Sequence, residues 1–138
     1  MKFFMDYRNL ALLVVLIVSG ILLVVEQINL YRRSRFSLSI TEATQLINRR
    51  DAIVIDVRSL ADFMTGHLPF SHQINIGEIR EKITKIVKNK SAAVLIVCQN
   101  GQQSQKAVRI VWEIGYVEAY ILDGGVIMWQ QEGMPIIK

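Results

Sequence analysis

Residues 93–106, AVLIVCQNGQQSQK, join an apolar run to Cys98, the one cysteine of the chain. A short, fully apolar run predicts a strand that is buried on both faces of a parallel sheet. Six small or amide side chains follow, none of them charged, and a helical pattern begins near Ser104. The thiol is therefore expected where a buried strand leads through a loop into a helix, which is where open parallel sheets bind ligands.

The loop after the cysteine predicts a site for negatively charged sulfur. Gly101 permits a positive φ, so successive backbone N–H groups can turn inward as an anion-binding nest. The following helix adds the positive end of its dipole, and helix N-termini favour the thiolate form of a nearby cysteine. The alternative is that Cys98 is simply a small buried hydrophobe. On the first reading Cys98 is the nucleophile, and the substrate-binding residues are Gln99, Asn100, Gly101, Gln102, Gln103 and Ser104.

The rest of the chain from residue 37 onward alternates short apolar runs with helical patterns. Thr41 is the predicted N-cap of the first helix, residues 42–50. Strands or extended pieces are predicted at residues 37–40, 52–57, 73–76, 92–97 and 118–122, and further helices at 60–65, 78–89, 104–114 and 126–132. Trp112 and Trp129 fall at positions typical of packing. This alternation predicts an α/β fold, a parallel sheet flanked by helices.

The amino-terminal part of the chain predicts one transmembrane helix. Residues 9–25 contain no charge, and residues 10–25 read LALLVVLIVSGILLVV. Seventeen residues rise about 26 Å as a helix, slightly less than the apolar thickness of a bilayer. A cleaved signal peptide and a buried core helix are the alternatives, but no Ala-x-Ala-like site follows the run. The predicted organisation is a flank at 1–8, the transmembrane helix at 9–25, a basic juxtamembrane connector at 26–36 that can extend the helix, and one domain at 37–138.

Positive charge is concentrated beside this helix. Residues 1–36 hold five basic and two acidic side chains, whereas residues 37–138 hold eleven and ten. The basic flank suits a lipid membrane with anionic head groups, and no basic patch indicates nucleic acid as a partner. Lys2 and Arg8 precede the helix and three arginines follow it, at 32, 33 and 35, so the positive-inside rule favours a single-pass protein with a cytoplasmic domain. One cysteine allows no internal disulfide, which fits a reducing compartment.

Few other residues show signs of chemistry. Asp56 and Arg58 end a predicted buried strand, where a carboxylate usually accepts from neighbouring N–H groups, so a supporting role is expected for both. His67 lies in the turn at 66–69 and is a weaker candidate for a catalytic base. Two histidines and one cysteine without ligand spacing predict no metal site, and no Gly-rich phosphate loop with lysine occurs. No cofactor is expected.

Several ordered motifs point to a known family. In chain order they are Asp56-Val57-Arg58, Gly66-His67-Leu68-Pro69, Ile74-Asn75-Ile76, Cys98-x-x-Gly101-x-x-Ser104, EIGY at 113–116 and DGGVIMWQQEGMPI at 123–136. Together they resemble the rhodanese-like (sulfurtransferase) domain family over about residues 37–138. The resemblance implies that the Cys98 thiolate takes up sulfane sulfur as a persulfide and passes it to a thiol acceptor, with loop N–H groups holding the persulfide. With its anchor, the chain is similar to the single-span, membrane-tethered rhodanese-like proteins of Gram-negative bacteria.

One position departs from the family pattern. The usual loop is C-x-x-G-x-R-S, and Gln103 stands where that loop has arginine. Arginine offers a fixed cationic fork to dianions such as thiosulfate, whereas glutamine offers a neutral donor. Losing a charge-assisted contact costs ~1.5–3 kcal/mol, about ten- to a hundredfold in donor affinity. Lys106 and Arg109 follow on the helix and are expected at the surface.

Two functions are therefore predicted as alternatives. The first is a sulfurtransferase with a sulfur donor and a thiol acceptor, each a small molecule or a protein. The second is a catalytically weak or inactive interaction module at the inner membrane, for which a membrane protein is a candidate partner. Phosphatase activity on the related C-x-x-x-x-x-R loop is disfavoured, because Ser104 stands where that loop needs arginine.

Overall fold

The structure is a computed structural model that describes residues 6–138, apart from the side chains of Arg33 and Ser34. The chain divides into two units between Arg35 and Phe36. Lys2 and the other residues of the predicted flank up to residue 5 lie outside the described part of the chain.

A single long helix, α1 (Tyr7–Phe36), contains the predicted transmembrane segment and the connector. Asp6 begins it, since the Asp6 carbonyl accepts from the N–H groups of Asn9 at 2.9 Å and Leu10 at 3.1 Å. The stretch Tyr7–Arg32 is long and apolar enough to cross a membrane, and its most apolar part is not buried against the rest of the protein. A signal sequence near the N-terminus meets the same criterion of length and composition.

Five parallel strands form one sheet in the order β1-β5-β4-β2-β3. The strands are β1 (Ser37–Leu38), β2 (Ile53–Asp56), β3 (His72–Gln73), β4 (Val94–Val97) and β5 (Ala119–Leu122). The helices are α2 (Ile40–Arg50), α3 (Leu60–Thr65), α4 (Ile79–Ile86), α5 (Gln102–Ile114) and α6 (Gly125–Gln131), with a 3-10 turn at Ile76–Glu78. The predicted α/β parallel sheet is confirmed. Because Asp56 pairs with Val97, the loops after β2 and β4 leave the same edge of the sheet side by side.

Alternate residues of each strand enter two different cores. Val94, Ile96 and then Cys98 contribute to one core, whereas Leu95 and Val97 contribute to the other. Both faces of the sheet are covered by helices, which is why its strands are continuous apolar runs. The first core includes Ile79 and Ile83 of α4 with Ala107, Val108 and Val111 of α5, and the second includes Ala43 of α2 with Val126 and Trp129 of α6.

Several local boundaries differ from the prediction. The N-cap of α2 is Ser39 and not Thr41, because Ser39 and Glu42 form a capping box, with Ser39 Oγ accepting from the Glu42 N–H at 3.2 Å and Glu42 Oε2 accepting from the Ser39 N–H at 3.1 Å. That box satisfies two N–H groups at the helix start and ends the preceding strand early. Of the predicted extended piece at 73–76, only Gln73 lies in a strand, as the second residue of β3. Helix α4 is shorter than predicted at both ends.

Candidate functional site

Cys98 directly follows β4, the central strand of the sheet. Its side chain is fully buried, and Sγ accepts a hydrogen bond from the Gly101 N–H at 2.9 Å. A backbone N–H directed at sulfur is the arrangement that supports negative charge on it. Because the residue exposes none of its surface, a reagent reaches Sγ only when neighbouring loop atoms move.

The loop after Cys98 is shorter than the sequence predicted. Gly101 has φ 95°, and α5 begins immediately after it at Gln102, two residues before the predicted start. The Gln102 N–H donates to Asn100 Oδ1 at 3.2 Å, so that amide is engaged within the loop. Within the described residues, the Gly101 N–H is the one backbone amide that donates to Cys98 Sγ, whereas the sequence predicted a nest of several N–H groups. The other side chains of the predicted binding loop, Gln99, Asn100, Gln102 and Gln103, are exposed.

A glycine pair at the start of α6, Gly124 and Gly125, holds the backbone of this loop. The Val126 N–H donates to the Cys98 carbonyl at 2.9 Å, and the Ile127 N–H donates to the Gln99 carbonyl at 3.1 Å. Gly125 has φ 60°, and a Cβ there would lie 2.3 Å from the Cys98 carbonyl oxygen. Only glycine allows this approach. This role was not predicted from the sequence, although the Gly-Gly pair beside a predicted helix was its signal.

Asp56 and Arg58 form a buried ion pair beside the cysteine loop. Arg58 donates from Nη2 to Asp56 Oδ2 at 2.8 Å and from Nε to Oδ1 at 3.0 Å, and both residues are buried. The same guanidinium donates to the Gly66 carbonyl at 2.7 Å and to Gln99 Oε1 at 3.2 Å. The pair thus ties the loop after β2 to the residue that follows the cysteine, which is a supporting geometry.

Ser104 closes the loop as the third residue of α5. The residue is fully buried, and its Oγ has no hydrogen-bond partner among the residues that the structure describes. Leaving a buried hydroxyl unsatisfied costs about 1–3 kcal/mol. In its buried surroundings Ser104 differs from the exposed amides of the same loop.

The remaining candidates lie in packing or surface positions. His67 Nδ1 lies 2.9 Å from the Phe63 carbonyl oxygen, and its ring stacks on Phe63 at 3.8 Å between centroids, so the geometry is structural. Lys106 and Arg109 are exposed, as predicted. Trp112 and Trp129 pack against the cores, also as predicted. The described residues contain no group of three His, Cys, Asp or Glu side chains that could hold a metal ion.

Comparison with known proteins identifies relatives over this domain. Residues 39–132 match the family model described as the rhodanese-like domain. Protein YibN of Escherichia coli strain K12 is 33% identical over 98 residues, which cover 70% of this chain and 68% of that protein. The thiosulfate sulfurtransferase GlpE of Pseudoalteromonas translucida is 28% identical over 93 residues, 67% of this chain and 87% of that one.

Solved structures agree with the sequence relatives. A rhodanese-related protein from Thermoplasma volcanium superposes with a TM-score of 0.64 at 28% identity, covering 73% of this chain and 96% of its own. A rhodanese from E. coli, solved with anions, gives a TM-score of 0.56 at 30% identity over 63% of this chain and 98% of its own. The sequence relatives and the solved structures therefore indicate the same fold and the same family.

Proposed function

Because the chain belongs to the rhodanese-like domain family, we propose that it is a membrane-tethered sulfurtransferase that carries sulfane sulfur as a persulfide on Cys98 and passes it to a thiol acceptor. One observation carries the proposal: the Gly101 N–H donates to Cys98 Sγ at 2.9 Å, at the end of the central strand. Relatives named as thiosulfate sulfurtransferases support the same class of reaction.

The proposed reaction is a sulfur transfer in two displacements. The Cys98 thiolate attacks the outer sulfur of a donor R–S–SH, the S–S bond of the donor breaks, and R–S⁻ leaves with the electron pair. A second thiolate then attacks the outer sulfur of Cys98–S–SH, takes it up as a persulfide and releases the Cys98 thiolate. No external oxidant or reductant is consumed, since each S–S bond broken is replaced by one formed.

The charges around the site favour a thiol persulfide over thiosulfate as the donor. The loop at 99–104 carries no charged side chain. Among the described residues, Arg58 is the one basic side chain that is buried. Asp56 neutralises its guanidinium, with 2.8 Å between Arg58 Nη2 and Asp56 Oδ2. A dianionic donor would meet no free cation in the loop, whereas a persulfide carries at most one negative charge at sulfur.

Intact mass measurement tests the proposal directly. The full chain, solubilised in detergent, is incubated with glutathione persulfide or with thiosulfate and then weighed. We expect wild type to gain the mass of one sulfur atom from the persulfide, and Cys98→Ser to gain none. Since Cys98 is the one thiol in the chain, any adduct on the serine variant would reflect chemistry other than that proposed. Failure of wild type to gain sulfur from either donor ends the proposal.

An interaction module is the second candidate, and the burial of Cys98 favours it. A fully buried thiol in a loop without a cation is also what a domain that has kept its fold and lost its chemistry would have. Partners co-purified from membranes with wild type and with Cys98→Ser distinguish the two functions. A scaffold keeps its partners without the thiol, whereas loss of every partner in the serine variant excludes the scaffold.

The membrane location is part of the proposal and has its own test. The apolar stretch Tyr7–Arg32 and the arginines that follow the predicted span support a single-pass protein of the inner membrane with a cytoplasmic domain. Protease added to intact spheroplasts should leave the domain uncut, and detergent should expose it. A chain that is cleaved after the apolar run, or a domain digested in intact spheroplasts, contradicts this placement.

A further inference from the structure

Ser104 carries a buried hydroxyl that no described residue satisfies. In a helix, a serine hydroxyl often bonds the carbonyl four residues earlier, which here is that of Asn100. No such bond exists in the described part of the chain, although Thr44 of α2 makes one to Ile40 at 2.7 Å. Since nearly all buried polar groups in proteins are bonded, this hydroxyl has spare capacity to bond a ligand atom.

The hydroxyl and the thiol lie on the same side of the sheet. Cys98 follows Val94 and Ile96 in the alternation that faces α5, and it belongs to the core that contains Ala107 and Val108. Ser104 is on the same buried face of α5, one turn nearer to the end where the cysteine loop enters the helix. The face of α5 that carries Ser104 therefore packs toward the core that contains Cys98.

We propose that Ser104 Oγ–H donates a hydrogen bond to the outer sulfur of the Cys98 persulfide. The inference rests on the proposed function and adds a specific donor to it. On loading, Sγ forms a bond to the outer sulfur of the donor persulfide, and the donor thiolate leaves with the electron pair. The departing thiolate takes up the proton of the persulfide, so the added sulfur carries the negative charge of the persulfide anion. That sulfur becomes the acceptor for the hydroxyl, which is unbonded in the thiol form.

This role fits the loop without a cation. The Gly101 N–H already donates to Sγ, so it supports the inner sulfur and leaves the outer one to another group. A neutral hydroxyl suffices for the single negative charge of a persulfide anion, whereas a dianion would need arginine. Ser104 would thereby favour the loaded state over the free thiol, which is what a sulfur carrier requires.

An equilibrium measurement tests this role. The full chain in detergent is equilibrated with glutathione persulfide and glutathione at a fixed ratio, and intact mass spectrometry gives the loaded fraction. We expect Ser104→Ala to lower the loading equilibrium constant about ten- to a hundredfold, and Ser104→Thr, which keeps the hydroxyl, to restore most of it. The melting temperature of unloaded Ser104→Ala should equal or exceed that of wild type, because the substitution removes an unsatisfied buried group.

The outcomes separate this inference from the proposed function. If wild type loads and Ser104→Ala loads equally well, the role of Ser104 is wrong and the sulfur carrier stands. If Ser104→Ala loses melting temperature along with loading, the hydroxyl is structural and the inference is again wrong. If wild type takes up no sulfur, both the inference and the proposed function fail.

Discussion

Two neighbouring loops leave the same edge of the sheet and treat their buried polar groups in opposite ways. After β2, Asp56 and Arg58 are buried and bonded to each other, and Arg58 also donates to the Gly66 carbonyl at the end of α3. After β4, Cys98 and Ser104 are buried, with one N–H on the sulfur and an unsatisfied hydroxyl within the described residues. A fully bonded network rigidifies a structure, whereas groups with spare bonding capacity can take a ligand. The first loop is thus scaffold, and the second is where chemistry is expected.

Breaking the ion pair should have the largest effect. Asp56→Ala leaves the Arg58 guanidinium buried without its carboxylate, so we expect the free energy of unfolding to fall by about 3–5 kcal/mol. Urea unfolding of the full chain in detergent, followed by tryptophan fluorescence, measures it. The matched control is Glu113→Ala, which breaks an exposed pair with Arg80, and its expected cost is at most about 1 kcal/mol. Equal losses in the two variants would contradict the scaffold role of the buried pair.

Adding one methyl group to the glycine pair tests the support of the cysteine loop. In Gly125→Ala the Cβ would lie 2.3 Å from the Cys98 carbonyl oxygen, so the cysteine loop must shift. The substituted residue must also adopt a positive φ. Gly133→Ala is the control, since Gly133 has φ 71° and nothing within 4 Å of its Cβ position. We expect backbone strain of about 1–2 kcal/mol in both variants, a further loss of about 1–3 kcal/mol in Gly125→Ala alone, and sulfur loading reduced only there. If Gly125→Ala loads normally, the glycine pair does not position the cysteine.

Placing a cation in the neutral loop tests the difference in charge between the two loops. Gln103→Arg restores the residue that the family pattern has at this position, and its side chain is exposed on the first turn of α5. We expect the KM for thiosulfate to fall about ten- to a hundredfold, equivalent to ~1.5–3 kcal/mol, with little change for glutathione persulfide. Gln105→Arg, two residues further along, adds the same charge at another exposed position and controls for net charge. Similar gains in both variants would show a general electrostatic effect.

Sequence patterns predicted the fold better than the details of the site. Apolar runs such as 92–97 identify buried parallel strands, because a strand covered on both faces is made mostly of apolar residues. The position of Cys98 at a strand end followed from the same pattern. The start of α5 did not, because the positive φ of Gly101 lets the helix begin immediately after it.

Long-range contacts explain what the sequence left undetermined. The bonds from α6 to the Cys98 and Gln99 carbonyls join residues far apart in the chain, and so does the bond from Arg58 to Gln99. No local spacing predicts such partners. The unsatisfied hydroxyl of Ser104 is likewise a property of its surroundings, since serine is also common as a helix cap and as a surface residue.

The smallest expected effect comes from the Tyr116 hydroxyl, a buried polar group that lies away from both loops and has a hydrogen-bond partner. Tyr116 is fully buried, its hydroxyl donates to the Val87 carbonyl, and burial raises the pKa of the phenol above its ordinary value of 10.0. The folded state therefore keeps this proton at a pH where the unfolded chain loses it. The stability that this raised pKa contributes is complete below pH 10 and is lost as the pH rises toward the pKa of the folded state. Tyr116→Phe should cost about 0.5–1.5 kcal/mol at neutral pH through the lost hydrogen bond, and its free energy of unfolding should fall less steeply than that of wild type above pH 10. Urea unfolding between neutral and alkaline pH measures both effects, and parallel curves for the two proteins would show that Tyr116 titrates alike in the folded and unfolded chain.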